Sequence, residues 1–356
     1  MTPRPTRKMA GPILRGLALL SLVMAMAVAL AGCQREAQAY RLEGPIYGTG
    51  FHVTFYGDYD DAQLAQIESS VKAALEQVDQ LMSTYKPDSE LSRFNRAPVG
   101  EPFTLSPQTA AVIREAIRIG KLSDGAFDVT VGSAVNLWGF GPDKHPDRVP
   151  DDAQIAQALE AVDYRALKLD GNTLTKTKPV YVDLSGIAKG YGVDQAARAL
   201  EAAGVERYLV EVGGEIRTHG DKPNGEPWRI AVEKPLSYER SVQRIIELDA
   251  AAVATSGDYR NYFEDDGERY SHTIDPRTGQ PIKHHLVSVT VIAADCMTAD
   301  ALATAVDVLG PEAGLEMAQR EKLAVYLVVK TADGFETRAS DAFQAYLADT
   351  DEETQS

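Results

Sequence analysis

The period of the apolar residues changes along this chain, and that change limits the fold more than any single motif does. From Ala62 to Leu81 the apolar residues Leu64, Ile67, Val71, Leu75 and Val78 recur at helical spacing. A second helical face carries Val112, Ile113, Ala116 and Ile117. Beyond residue 207 the spacing shortens, and Tyr208 to Val212, Trp228 to Glu233, Arg244 to Asp249 and Val287 to Ala293 read as strands, as Gly50 to Tyr56 does earlier. Between these lie MSTYKPDSELSRFN, a polar loop opening a short helix, and SDGAFDVTVGSAVNLWGFG, where Gly125, Gly132, Gly139 and Gly141 interrupt any long element. Ala153 to Ala161 suggests a helix and Leu174 to Leu184 a pair of hairpin strands. Helices and antiparallel-looking strands without regular alternation predict an α+β fold, with mixed or antiparallel sheets flanked by helices, rather than a doubly wound sheet.

The first 32 residues are set apart from that fold. Arg4, Arg7, Lys8 and Arg15 give a basic start, and an apolar run from Gly16 to Gly32 follows, shorter than the roughly 20 residues a membrane span needs. The run closes on Leu30-Ala31-Gly32-Cys33, which resembles the lipobox of bacterial lipoproteins. That resemblance implies a lipid on Cys33, a tether over 33–44, and a domain held to the periplasmic side of a bacterial membrane. The domain itself is expected over 45–347, with an acidic tail over 348–356. Only Cys296 then remains as a thiol, so no intramolecular disulfide is available. A formal net charge of −16 argues against nucleic acid as a partner, and any anionic ligand needs a local cation.

Three stretches carry residues suited to chemistry. In VDLSGIAKGYGVD, Val182 to Asp194, an apolar run closing on Asp183 turns through Ser185 and Gly186 into a helix near Ala188. Such a corner offers backbone N–H groups and the positive end of a helix dipole to an anion. The glycine spacing is that of neither a Walker loop nor a dinucleotide fold, so a bare corner with a solvated Lys189 is the simpler reading. The carbonyl of Gly186 is free to face outward, because no Cβ restricts the turn. In CMTADALATAVDVLG, Cys296 to Gly310, the apolar face of Leu302, Ala305, Val306 and Leu309 puts Asp300 and Thr304 one turn apart on another face. A carboxylate and a hydroxyl are hard oxygen ligands suited to Mg²⁺; the same pair also suits an ordinary polar helix face. In RYSHTIDPRTGQP, Arg269 to Pro281, a strong turn at Asp275 to Gly279 places His272 by a strand end. There it is either a base for a hydroxyl proton or a half-buried structural histidine. His284 and His285 point apart in an extended chain and make a poor metal pair.

Taken in order, Gly48-Thr49, MSTYKPDSELSRFN, GAFDVTVG with LWGFG, VDLSGIAKGYGVD, ATSGDYR, SHTIDPRTG and CMTADALATA resemble the ApbE family of FAD:protein FMN transferases, from about Pro45 to Leu347. The resemblance implies a two-lobed fold with FAD between the lobes, and Mg²⁺ held by Asp300, Thr304 and the Gly186 carbonyl. It implies FAD contacts from Tyr85, the backbone of Ala126, Phe127 and Asp128, Asp183, and the Ile274 region. Tyr47, where the family often carries Met, and Lys189, on the acceptor-facing side, join that set. His272 matches the family's base, to act alone or with Asp275 nearby on the threonine proton, and Asp300 completes the catalytic pair. The partners implied are FAD as substrate and an acceptor flavoprotein presenting a threonine, such as a subunit of a redox pump, with AMP released. A site admitting water would be an FAD pyrophosphatase instead, and one that only bound would be an FAD-storing lipoprotein.

Overall fold

Tyr47 and Gly48 both lie at positive φ (51° and 75°) and form a two-residue turn, the backbone twist that a tight hairpin requires. In the computed structural model, which describes residues 37–142, 149–233, 242–257, 262–265 and 268–347, this turn joins β1 (Gln38–Ile46) to β2 (Thr49–Gly57). The expected tether is thereby corrected: Gln38 to Gly44 pairs into a sheet edge, its residues alternating between exposed and half-buried. Cys33 with the signal-like segment, the tail over 348–356 and Asp258-Tyr259-Arg260 lie outside the described residues.

Asp60 opens α1 (Asp61–Met82) with a reciprocal cap to Gln63. This helix buries Ile67, Val71, Leu75 and Val78, the face its spacing predicts, while Leu64 stays half-buried. Ser89 caps α2 (Glu90–Arg96), and Ser106 caps α3 (Pro107–Leu122), where Pro107 stands in the first turn at no hydrogen-bond cost. Next come α4 (Gly132–Leu137), α5 (Asp152–Leu159) and α6 (Ala188–Ala202). Strands then lead: β3 (Arg207–Val212), β4 (Glu215–His219), β5 (Ala252–Ser256) and β6 (Leu286–Ala293). The long α7 (Cys296–Glu321) precedes β7 (Ala324–Thr331) and β8 (Gly334–Ala339). These eight strands form one sheet in chain order; from β2 onward every adjacent pair is antiparallel.

The two faces of the sheet pack differently, as a two-residue period requires. Val289, Val291, Val325 and Leu327 join α3 and α7 in one core. Ile292, Ala324, Tyr326 and Val328 point the other way, against Val232, Ile246 and Leu248 of a separate hairpin, Trp228–Glu233 with Val242–Leu248. A small sheet of Phe103–Thr104, Leu167–Asp170 and Thr173–Lys176 lies beyond the helices. Leu167 and Leu174 from it share the core of Val112, Ile113, Leu302 and Leu327. One apolar core runs from the small sheet through the helices to the large one, and a second packs Phe51, Val53 and Val210 of the sheet against Val71 and Leu200 of α1 and α6, each buried aliphatic side chain contributing about 1.5–3 kcal/mol.

The predicted pair of strands from Leu174 to Leu184 ends early. Only Thr173–Lys176 is a strand, because Pro179 has no N–H to give a ladder. Asn95 takes over there, its side chain bonding both the N–H and the C=O of Val182 at 2.8 Å.

Helices α6 and α7 cross at Gly190, where a Cβ would stand 2.2 Å from the Cys296 carbonyl oxygen and 2.8 Å from the Asp300 Cβ. Each caps the other. Asp300 of α7 accepts the Gly190 N–H (2.9 Å), and Asp194 of α6 accepts the N–H groups of Cys296 and Met297 (both 3.0 Å). Arg217 from β4 bonds the same Asp194 carboxylate at 2.7 Å. Farther on, α7 breaks at Gly310 (φ 79°) before Pro311, and His284 bonds the Asp307 carbonyl just ahead of the break at 2.6 Å. Because backbone cannot yield at the crossing, Gly190→Ala should destabilise the protein by about 1–3 kcal/mol or more, read as a lower urea midpoint; an unchanged midpoint would show that the crossing relaxes freely.

Candidate active site

Asp183, Gly186 and Lys189 enter the site from the irregular corner before α6. The Asp183 N–H is held by the Val129 carbonyl at 2.7 Å, and its Oδ1 accepts the N–H and hydroxyl of Ser185 (2.8 and 2.5 Å), an Asx-type turn. The helix start offers less to an anion than its sequence suggests: the Ala188 N–H bonds the Leu184 carbonyl and the Gly190 N–H bonds Asp300. What the corner does present is Gly186. A Cβ on it would lie 3.2 Å from Thr304 Oγ1 and 3.3 Å from the Phe127 ring, so backbone, hydroxyl and ring converge, with Asp300 one turn back along α7 and only 3% exposed.

Those groups suit a hard divalent cation. Carboxylate, hydroxyl and carbonyl all present oxygen, and a side chain at position 186 would crowd the space facing Thr304. Among the described residues no three His, Cys, Asp or Glu side chains stand close enough to share an ion; a cation here would rest on one carboxylate together with neutral oxygens.

Beside Asp300 lies a charged pair that sequence reading missed. Lys189 Nζ is 2.5 Å from Oε1 of Glu215, the first residue of β4. Glu215 is 2% exposed, and its Oε2 accepts no hydrogen bond from any described residue, which costs about 1–3 kcal/mol in desolvation. Burial pushes Glu215 up to about 7 against the pull of Lys189, and raises Asp300 against the pull of Lys189 and the Gly190 N–H. Burial alone would lower Lys189; the fields of Glu215 and Asp300 outweigh it and hold the ammonium charged. The available signal was the Gly213-Gly214 turn, both at positive φ, which directs the next residue inward as a strand begins. Asp194 and Arg217 were missed for the same reason: each is read as a surface charge until its partner is known.

A second group forms a rim. Tyr85, 67% exposed, donates its hydroxyl to the Phe140 carbonyl at 3.3 Å, and the Phe140 ring meets His272 edge-on, centroids 6.4 Å apart. Although most of Tyr85 is exposed, partial burial and then the charge of Asp183 raise its phenol. Ile274 is buried with Trp138 and Tyr270, and Trp138 Nε1 donates to the Gly279 carbonyl at 2.8 Å, fixing the turn beyond His272.

Three of the expected residues have their side chains engaged by neighbours, and for Asp128 this agrees with the backbone contact expected of it. Asp275 is held bidentately by Arg277, two residues on (2.9 and 2.8 Å), which fixes its carboxylate at the turn beyond His272. The Asp128 carboxylate is spent on Thr130 and the Tyr164 N–H, which leaves only backbone at 128 for a ligand; the Ala126 and Phe127 N–H groups bond Ser123. Tyr47 is a wedge between helices, its hydroxyl donating to the Leu75 carbonyl at 2.8 Å and its ring filling the space over Gly192.

Residues 47–327 match the model of the ApbE family. The chain belongs to the ApbE family. It is 49% identical over 328 residues to the FAD:protein FMN transferase of Vibrio cholerae, spanning 92% of this chain and 98% of that protein. The Haemophilus influenzae transferase is 48% identical, over 91% of this chain and 96% of its own. Among solved structures, the flavin transferase ApbE from Vibrio cholerae superposes with a TM-score of 0.81 at 48% identity, covering 87% of this chain and all of that one. The apo Pseudomonas stutzeri flavinyl transferase ApbE also gives 0.81, at 41% identity, over 88% of this chain and 98% of that one. The α+β reading is borne out by these folds.

The raised carboxyl of Glu215 has a sign. Folded protein keeps a proton there that the unfolded chain releases above about 4.5, so stability is lost as pH climbs from there to about 7. Unfolding of the wild type and of Glu215→Gln, compared from pH 4.5 to 8, should show the wild type losing ground across that window and levelling above it; parallel curves would remove the assignment.

Proposed function

We propose that this chain moves FMN from FAD to a threonine hydroxyl of an acceptor flavoprotein, releasing AMP, with a Mg²⁺ held by Asp300, Thr304 and the Gly186 carbonyl. The observation that carries it is the meeting of Gly186 with Thr304 one turn from buried Asp300, in a chain so similar to FAD:protein FMN transferases. Bound there, Mg²⁺ would supply charge neutralisation at the pyrophosphate and a template for it.

The remaining steps belong to the chain's own residues. His272 accepts the threonine proton, and the freed oxygen attacks the phosphorus on the FMN side. A new P–O bond to threonine forms as the bridging P–O bond breaks, and the electron pair leaves with AMP. Tyr85, exposed at the rim beside Asp183, offers a ring face for an aromatic base, and Lys189 adds fixed positive charge beside the phosphates. Phe140 and the Ile274 cluster back the His272 side and keep the ring in place. The reading extends to the lipobox: Cys33 would hold the enzyme on the periplasmic side of the membrane, where extracytoplasmic acceptors fold.

Incubated with FAD, Mg²⁺ and an acceptor carrying the target threonine, the protein should produce a fluorescent band that survives denaturation. Chelation of the metal, or Asp300→Asn, should abolish the band in a protein that still folds; full labelling by the variant would sink the metal assignment, and AMP release without a band would make the enzyme a pyrophosphatase. His272→Ala should slow transfer by about 10²–10⁴ while FAD still binds, checked by single-turnover labelling against a flavin-fluorescence titration; a lost FAD affinity at unchanged rate would assign the residue to binding instead.

A further inference from the structure

Lys189 contacts one buried carboxylate, Glu215, and the residue after it, Gly190, contacts another, Asp300. The Lys189 ammonium is 2.5 Å from Glu215, while Asp300 takes the Gly190 N–H instead. The two cation sites of this region are therefore in competition. An ammonium is a compact charge on a flexible stem; released from Glu215, it has as its replacement partner Asp300, the carboxylate that already accepts the N–H of the next residue, Gly190. That carboxylate is the one a divalent ion beside Thr304 and Gly186 would use on the proposed reading.

From this geometry we infer that Glu215 is a positioning residue: by holding Lys189 it keeps the ammonium off Asp300 and leaves that carboxylate open to the divalent cation. The inference rests on the reading of Asp300 as a cation ligand. Burial makes the arrangement specific. Glu215 is 2% exposed with Oε2 unmatched, an unfavourable place for a carboxylate whose only task is a surface ion pair. The fold aims it deliberately: the Gly213-Gly214 turn sets its direction, and Glu215 opposite Val212 begins the β3–β4 ladder. Arg217, two residues on, is already committed to Asp194, so it cannot replace Lys189 as the partner of Glu215.

Mn²⁺ serves as the probe, because its binding to the full chain in detergent is read by electron paramagnetic resonance without turnover. Wild type should bind and Asp300→Asn should not. Glu215→Gln should bind about tenfold more weakly, the loss expected when a competing contact leaves one molecule in ten competent. Glu215→Gln combined with Lys189→Met should return to within about threefold of wild type, since the competitor is gone. A crystal structure of Glu215→Gln should place the Lys189 ammonium against Asp300, a shift that a mere change in local charge does not require. If Asp300→Asn loses Mn²⁺ but Glu215→Gln binds like wild type, or the double variant is as weak as the single, the role of Glu215 is overturned while the metal site stands. Wild-type binding by Asp300→Asn, or none by the wild type, overturns the metal site and this inference with it. Should Glu215→Gln not fold, Lys189→Met alone decides: it must bind Mn²⁺ at least as tightly as wild type, and weaker binding refutes the competition.

Discussion

Everything functional in this protein hangs on two helices that terminate each other. An uncapped helix start leaves N–H groups unpaired, and here α6 and α7 each solve the problem with a carboxylate from the partner, Asp300 for one and Asp194 for the other. The exchange is possible only because Gly190 lets backbone touch backbone. It fixes the register between the corner that carries Gly186 and the helix that carries Thr304. Asp300 is therefore both a structural cap and the proposed metal ligand, so its two oxygens are divided between holding the fold and serving the reaction.

The electrostatics follow from the same crossing. In a chain of net charge −16, concentrating Asp194, Glu215 and Asp300 in one interior is unfavourable unless cations are interleaved. Arg217 is set against Asp194 and Lys189 against Glu215. Asp300, by contrast, is answered by a backbone N–H and by the field of Lys189. Of these three carboxylates it is the one that lies a turn from the neutral hydroxyl facing Gly186, and a divalent ion there would complete the balance.

Much of this was legible in the sequence, for reasons that differ by element. The buried face of α1 and the pairing of Asp300 with Thr304 could be read because helical spacing fixes which residues share a side. His272 at a strand end was marked by the turn after it. Strand β4 escaped notice because Glu215 and Arg217 interrupt its apolar alternation, the very charges that make it matter. The extension of strand character to Leu184 failed because apolar residues pinned by Asn95 look, in sequence, like residues paired in a ladder. The bidentate grip of Arg277 on Asp275 was not legible either, because proximity in sequence does not say which side chains will pair.

Strands β2 and β3 are neighbours in the sheet, with Phe51 opposite Val212, yet the helices α1 to α6 all lie between them in the chain. Chain closure of such length is entropically expensive for an unfolded polymer, though the penalty grows slowly with length. If the intervening segment condenses first, its ends are brought close and the closure becomes short. In that case the segment bearing Asp183 and Gly186 would form first, and the sheet, with α7 bringing Asp300 and Thr304, would be the seam that closes on it rather than the platform on which it is built.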